Sequence, residues 1–262
     1  MRATIAYYDP PQRPAAGARP DFTALPLTGK PVTVSSMRAA GGGFSLDREG
    51  FTLAAAPTAV RDFHDRDEVS RRYVPEALEL VRSLTGCTAT ALLNNPVVRV
   101  SGRGGPRPAG TTFTGDFVHA DFSAVAAADM VRHNLPPEDA EARLRGPRFA
   151  VFNVWRTFSG PPQDIPLALC DTRSVTQADK QYCEITLNEL TWENITYYHN
   201  QAHRWWYCPD MTRDEAYVFR SFDSAPGHTE QVPHSAFVNG SCPASAPLRA
   251  SIEVRVFAFF ED

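Results

Sequence analysis

The chain has 262 residues, 43% hydrophobic and 21% charged, with a formal net charge of −4. This composition excludes a disordered or fibrous protein and is long enough to build a full core. The small acidic excess excludes the basic footprint that nucleic-acid binding requires.

Residues 4–8 (Thr-Ile-Ala-Tyr-Tyr) predict a first strand, and Pro10, Pro11, Pro14 and Pro20 a loop after it. Gly41–Gly43 mark a turn before a short strand pair near Phe44–Leu53. A helix follows, because Val74, Ala77, Leu78, Val81 and Leu84 recur at helical spacing. Pro75 suits its first turn and Gly86 its stop. Beyond it, segments 90–100, 111–122, 148–158, 182–187, 194–200, 216–222 and 248–260 are rich in Val, Phe, Tyr and Thr and predict strands. Short helices interrupt them at 124–133 and 138–144. The sum is a mainly β chain with flanking helices, an α+β barrel or jelly roll, with residues 1–262 expected to form one domain.

The five cysteines, Cys87, Cys170, Cys183, Cys208 and Cys242, are irregularly spaced and include no CxxC. This argues against a disulfide framework and a zinc ribbon. No run of roughly 18 apolar residues predicts a membrane span, and no cleavable leader opens the chain. The expectation is a soluble, reduced, cytoplasmic protein with neither a membrane nor a nucleic-acid partner; its oligomeric state stays open.

The sharpest chemical feature is Val118-His119-Ala120-Asp121. Side chains two apart on a strand share a face, so His119 and Asp121 can reach a common point. Alone, the pair also suits a strand-end salt bridge. A distant histidine, His234 in Val232-Pro233-His234-Ser235-Ala236-Phe237, completes the composition of a two-histidine, one-carboxylate facial triad for ferrous iron. His228 competes with it for that place. Downstream, residues 249–256 alternate: Arg249, Ser251, Glu253 and Arg255 face one way, and Ala250, Ile252, Val254 and Val256 the other. Arg249 and Ser251 on an inward face would make a carboxylate receptor, suited to the far end of 2-oxoglutarate. On an outward face, Glu253 and Arg255 would simply compensate each other.

The set of HxD, distal histidine and Arg-x-Ser resembles the Fe(II)/2-oxoglutarate-dependent oxygenases. Within them it resembles a branch that includes the cephamycin hydroxylase component and fungal desaturase-like proteins of the gibberellin-desaturase kind. The resemblance is carried by residues 118–123 (VHADFS), 152–156 (FNVWR), 166–171 (PLALCD), 203–207 (HRWWY), 222–224 (FDS), 233–237 (PHSAF) and 249–255 (RASIEVR). Two positions depart from the pattern: Ala250, where Glu is usual, and Arg220, where Lys is usual. The resemblance implies a double-stranded β-helix core, jelly-roll and cupin-like, and it favours His234 over His228. It further implies Fe(II) held by His119, Asp121 and His234, 2-oxoglutarate anchored by Arg249 and Ser251, and dioxygen as oxidant. The activity implied is hydroxylation, desaturation or oxidative cyclisation of a small molecule in secondary metabolism.

Further candidates are Arg156 and Trp155, at the end of an apolar run, and Trp205, within Trp205-Trp206-Tyr207, for binding substrate. Arg156 equally suits an ion pair with Asp171 or Asp164. Asp223 is a candidate orienter of a metal-binding histidine, although Asp-Ser also suits a turn. His64, His133 and His199 read as surface or structural residues. Two other function classes share much of this pattern: a zinc hydrolase, which would not need Arg249 and Ser251, and a non-catalytic jelly-roll binding module.

Overall fold

The computed structural model describes residues 1–187, 189–228 and 231–261. In chain order the strands and helices are β1 (Arg2–Tyr8), β2 (Leu27–Ser36), β3 (Phe51–Ala55), α1 (Arg66–Glu68), α2 (Val74–Thr85), β4 (Ala89–Leu92), β5 (Val97–Val100), β6 (Thr112–Phe113) and β7 (His119–Ala120). They continue as α3 (Ala124–Asn134), α4 (Pro137–Arg145), β8 (Arg148–Thr157), β9 (Leu167–Cys170), β10 (Lys180–Leu187), β11 (Leu190–Tyr197), β12 (Trp205–Tyr207), β13 (Glu215–Asp223), β14 (His234–Ala236) and β15 (Ala250–Phe260).

The strands form two sheets. An eight-stranded sheet runs β1-β2-β12-β9-β14-β7-β11-β10, and a seven-stranded sheet runs β3-β13-β8-β15-β5-β6 with β4 also on β15. The sheets face each other as the jelly-roll, double-stranded β-helix expected from the sequence. Their shared interior has an apolar end, where Leu167 and Leu169 of one sheet pack on Trp155, Tyr217 and Phe219 of the other.

Alternation decides what each face carries. On β8 and β15, Phe152, Val154, Ile252, Val254 and Val256 point outward onto α2, whose Ala77 and Val81 they bury. Their neighbours Asn153, Trp155, Ser251, Glu253 and Arg255 therefore point inward. Helix α2 begins with Pro75 in its first turn and stops at Gly86, which has φ 69° and donates its N–H to the Arg82 carbonyl, the ending its sequence predicts.

Three expectations change. The strand expected over 111–122 is two short pieces, because the chain crosses there from the seven-stranded sheet (β6) to the eight-stranded sheet (β7). The strand expected over 90–100 is divided into β4 and β5, both paired with β15, with Leu93–Pro96 between them. Instead of a strand pair over 44–53, residues 45–50 close a turn in which the Glu49 and Gly50 N–H groups donate to the Ser45 carbonyl at 3.1 and 3.2 Å. Gly50 has φ 89°, and a Cβ there would meet Val232 at 2.7 Å, so both conformation and space require glycine.

Candidate metal centre and cavity

His119 on β7 and His234 on β14 are direct cross-strand partners, with ring centroids 4.3 Å apart. Asp121, two residues after His119, reaches the same point. One ligand-capable atom from each of the three lies within 4.8 Å of the others.

Each side chain is oriented by a second contact. His119 Nδ1 lies 2.9 Å from the Phe117 carbonyl and His234 Nδ1 lies 3.1 Å from the Val232 carbonyl. Both carbonyls belong to the residue two positions earlier. A carbonyl only accepts, so each Nδ1 carries the hydrogen and each Nε2 keeps its lone pair for a metal. Gly115 leaves room for this arrangement, since a Cβ there would sit 3.1 Å from His119 Cε1.

Asp121 is held from the opposite sheet. Arg255 forks it, Nε to Oδ2 at 3.0 Å and Nη2 to Oδ1 at 2.9 Å. Asn153, paired with Arg255 across β8 and β15, donates to Oδ2 at 2.7 Å. Ser221 in turn donates to Asn153 at 2.5 Å. Burial would raise the Asp121 carboxyl, but Arg255 and the two histidines outweigh it and keep it ionised well below the usual carboxylate range. Burial and the neighbouring His234 push His119 down to about 3, so it stays neutral. Two imidazoles that present Nε2 and one carboxylate form a donor set that fits a divalent metal.

The depressed His119 predicts an acid-sensitive apo protein. The unfolded chain takes up a proton near pH 6.5 that the folded chain refuses until about 3, so stability falls as pH drops through that window. The ceiling is about 1.4 kcal/mol per pH unit. His119 keeps a partly exposed edge, so the expected loss between pH 7 and 5 is about 1 kcal/mol. Urea titrations of metal-free wild type and His119→Gln check this; an equal loss in both would refute it.

Arg249 immediately precedes β15 and is 1% exposed. Its Nη1 donates to the Ile165 carbonyl at 2.7 Å, and its guanidinium lies 5.3 Å above the Trp155 ring. Its Nε has no hydrogen-bond partner among the described residues. Burial, then the charge of Arg99, pull its pKa down to about 9. Ser251 is fully buried beside it, and its hydroxyl makes only a long 3.4 Å contact to the Arg99 carbonyl. A buried guanidinium with an orphaned N–H is costly unless an anion arrives, so this pair fits an incoming carboxylate.

Above the triad opens a cavity of 780 Å³. Its walls are largely apolar, with Leu93, Phe122, Met130, Leu190 and Trp192 among them, while His119, Asp121 and Arg255 reach it from the interior. The cavity of 330 Å³ beside Met37 and Arg38 reaches none of these groups.

The remaining candidates lie elsewhere or do something else. Arg156 is on the outer face of β8: it donates to Tyr73 Oη at 3.2 Å, the Ala56 carbonyl at 2.8 Å and the Arg213 carbonyl at 3.1 Å. Neither a pocket mouth nor an ion pair with Asp171 or Asp164 describes it. Trp155 is inside but forms the floor under Arg249, stacked on Tyr217 at 5.5 Å. Trp205 faces away from His119, in the cluster on the other side of its sheet, and donates to Tyr7 Oη at 2.8 Å. Asp223 is claimed by Arg148 through two contacts of 2.9 and 2.5 Å; the orienting role expected of it falls to the Phe117 and Val232 carbonyls. His228 sits beside Asp47 and Arg220. His133, read as a surface or structural residue, lines the cavity. Arg156→Met is therefore expected to cost about 2 kcal/mol of stability with no change in ligand affinity in the cavity, measured by denaturation and calorimetry.

Asn153 and Arg255 were not singled out from the sequence. Both carry a signal there: Asn153 is the polar residue inside an apolar strand, and Arg255 shares its face with Arg249.

A family described as "Oxidoreductase/YMDC permease-like domain" matches residues 5–259. The chain is 29% identical to the hydroxylase/desaturase efuI of Hormonema carpetanum, over 92% of this chain and 87% of that protein. It is 31% identical to the hydroxylase/desaturase CTB9 of Cercospora beticola, over 88% and 76%. It is 28% identical to the Fe(II)/2-oxoglutarate-dependent dioxygenase nvfI of Aspergillus novofumigatus, over 82% and 78%. The solved iron and alpha-ketoglutarate-dependent endoperoxidase NvfI superimposes with a TM-score of 0.85 at 23% identity, covering 100% of this chain and 98% of that one.

Proposed function

The chain belongs to this oxidoreductase family as an Fe(II)/2-oxoglutarate-dependent oxygenase, and from that premise we propose that His119, Asp121 and His234 hold the iron while Arg249 and Ser251 anchor 2-oxoglutarate. The observation that carries the assignment is the orphaned Nε of buried Arg249 in the same interior as three clustered ligand side chains. A zinc hydrolase would have no use for that cation, and a passive binding module would need neither.

When bound, Fe(II) and 2-oxoglutarate supply the oxidising power that activates dioxygen and breaks a substrate C–H bond. The protein's part is orientation and exclusion. Phe117 and Val232 fix the imidazole tautomers, and Arg255 and Asn153 hold Asp121 ionised and in place. The apolar cavity walls keep water from the reacting groups. The substrate is a small molecule, oxidised by hydroxylation, desaturation or ring closure in secondary metabolism. The proposal treats residues 1–262 as one catalytic domain, supported by the two sheets sharing one interior. A cytoplasmic setting is supported by five free cysteines. No helix among the described residues is long and apolar enough to cross a membrane.

The test is anaerobic addition of Fe(II) and 2-oxoglutarate followed by visible absorption. A weak metal-to-ligand charge-transfer band, absent in His234→Ala, is expected. Metal binding without a band would favour the hydrolase, and no metal binding would favour the binding module.

A further inference from the structure

Arg99 is a charged group in the cavity that the iron and 2-oxoglutarate assignments leave unused. It lies on β5, paired across the sheet with Ser251 and with Thr112. Its side chain lines the cavity together with His119 and Asp121. Nη1 donates to Thr112 Oγ1 at 3.2 Å and to the Phe113 carbonyl at 3.3 Å, which ties down one corner of the fork. Among the described residues no carboxylate pairs with it. Asp121 and Glu253 are both taken by Arg255, at 2.9 and 2.6 Å. Asp164 accepts from Ser101 at 2.6 Å and lies 3.9 Å from Arg103.

Arg99 is half-buried at the wall of a largely apolar cavity, where a cation gains most from a charge-assisted hydrogen bond to an anionic group on the molecule that fills the cavity. Both ends of 2-oxoglutarate already have receptors. We propose that Arg99 receives a carboxylate of the organic substrate, so that the cavity selects an apolar small molecule bearing one anionic group. This rests on the iron and 2-oxoglutarate assignment, and it identifies Arg99 as a specificity-determining residue.

The experiment uses the Fe(II)- and 2-oxoglutarate-loaded protein under anaerobic conditions. The probes are 2-naphthoate and 1-pyrenecarboxylate, each beside its uncharged primary amide, measured by calorimetry with 2-oxoglutarate saturating. The expected result is that at least one acid binds wild type more tightly than its amide. Arg99→Gln then weakens that acid roughly 10- to 100-fold, the scale of a lost charge-assisted hydrogen bond. Its amide affinity stays within about twofold of wild type and its 2-oxoglutarate affinity, which the nearby Arg99 charge touches through Arg249, within about tenfold, and Arg99→Lys restores part of the acid affinity. Acids that bind wild type no better than their amides overturn the proposal, as does an Arg99→Gln that leaves acid binding unchanged. If Arg99→Gln instead weakens 2-oxoglutarate more than tenfold, the carboxylate that Arg99 serves is the co-substrate's, and the substrate assignment falls. Absence of the charge-transfer band in wild type removes the underlying assignment as well, which separates the two failures.

Discussion

Arg249→Met is expected to raise the dissociation constant of 2-oxoglutarate about 100-fold and to leave the metal-free, ligand-free protein at least as stable as wild type. The two halves have one cause. In the unliganded protein the guanidinium is buried, its Nε lacks a partner, and its pKa falls to about 9. Holding a charge in such a place costs stability, and replacing an unmatched buried charge by an apolar side chain of similar size is neutral or stabilising. The same charge becomes favourable when a carboxylate arrives. Removing one partner of a buried, hydrogen-bonded charge pair costs about 2–5 kcal/mol of affinity, and 100-fold lies inside that range. Calorimetric titration with 2-oxoglutarate gives the first half, and urea denaturation without ligand gives the second. A variant that loses stability and keeps its affinity would identify Arg249 as a structural residue.

Much of this site was legible because β alternation is strict. His119 and Asp121 two apart, and Arg249 and Ser251 two apart, were placed on common faces by period alone, and the structure brings these four residues into one interior. The distal histidine was harder. His234 lies on a three-residue strand, too short for any periodic signal, and the resemblance distinguished it from His228. What failed, failed at the level of faces and partners. Arg156 and Trp155 are adjacent, so they must point to opposite sides of β8, yet both were placed in the pocket. The side of the sheet that α2 covers decides between them, and that is tertiary information. Trp205 was lost the same way, one residue out of phase with inward-facing Trp206. Asp223 went to Arg148, a partner 75 residues away that no local pattern names. The cavity wall is drawn from α3, from the Leu93–Asn95 segment between β4 and β5, and from the β10–β11 end. These are separate stretches whose apolar residues read individually as ordinary core.

Arg255→Met tests how Asp121 is held, and two losses are expected, one of stability without metal and one of metal affinity. In wild type a single guanidinium faces both Asp121 and Glu253. Removing it leaves two buried carboxylates without their cation, and breaking a buried pair in this way costs about 3–5 kcal/mol. Metal-free Arg255→Met should therefore be severely destabilised, with Asp121 driven toward protonation. A divalent ion at the triad restores positive charge to the same carboxylate, so saturating metal should recover part of the lost stability, by a smaller increment than it adds to wild type because affinity is lower. Affinity should fall about 10- to 100-fold, the usual consequence of removing a group that orients a metal ligand. In the variant Asn153 alone remains to position Asp121. Asn153→Ala, which spares the charges, should lower affinity with a smaller stability loss. Melting temperatures of wild type, Arg255→Met and Asn153→Ala, each with and without Fe(II) or Zn(II), separate charge compensation from orientation. Equal metal-induced stabilisation in all three would mean that Arg255 braces the sheet and has no part in holding the ligand.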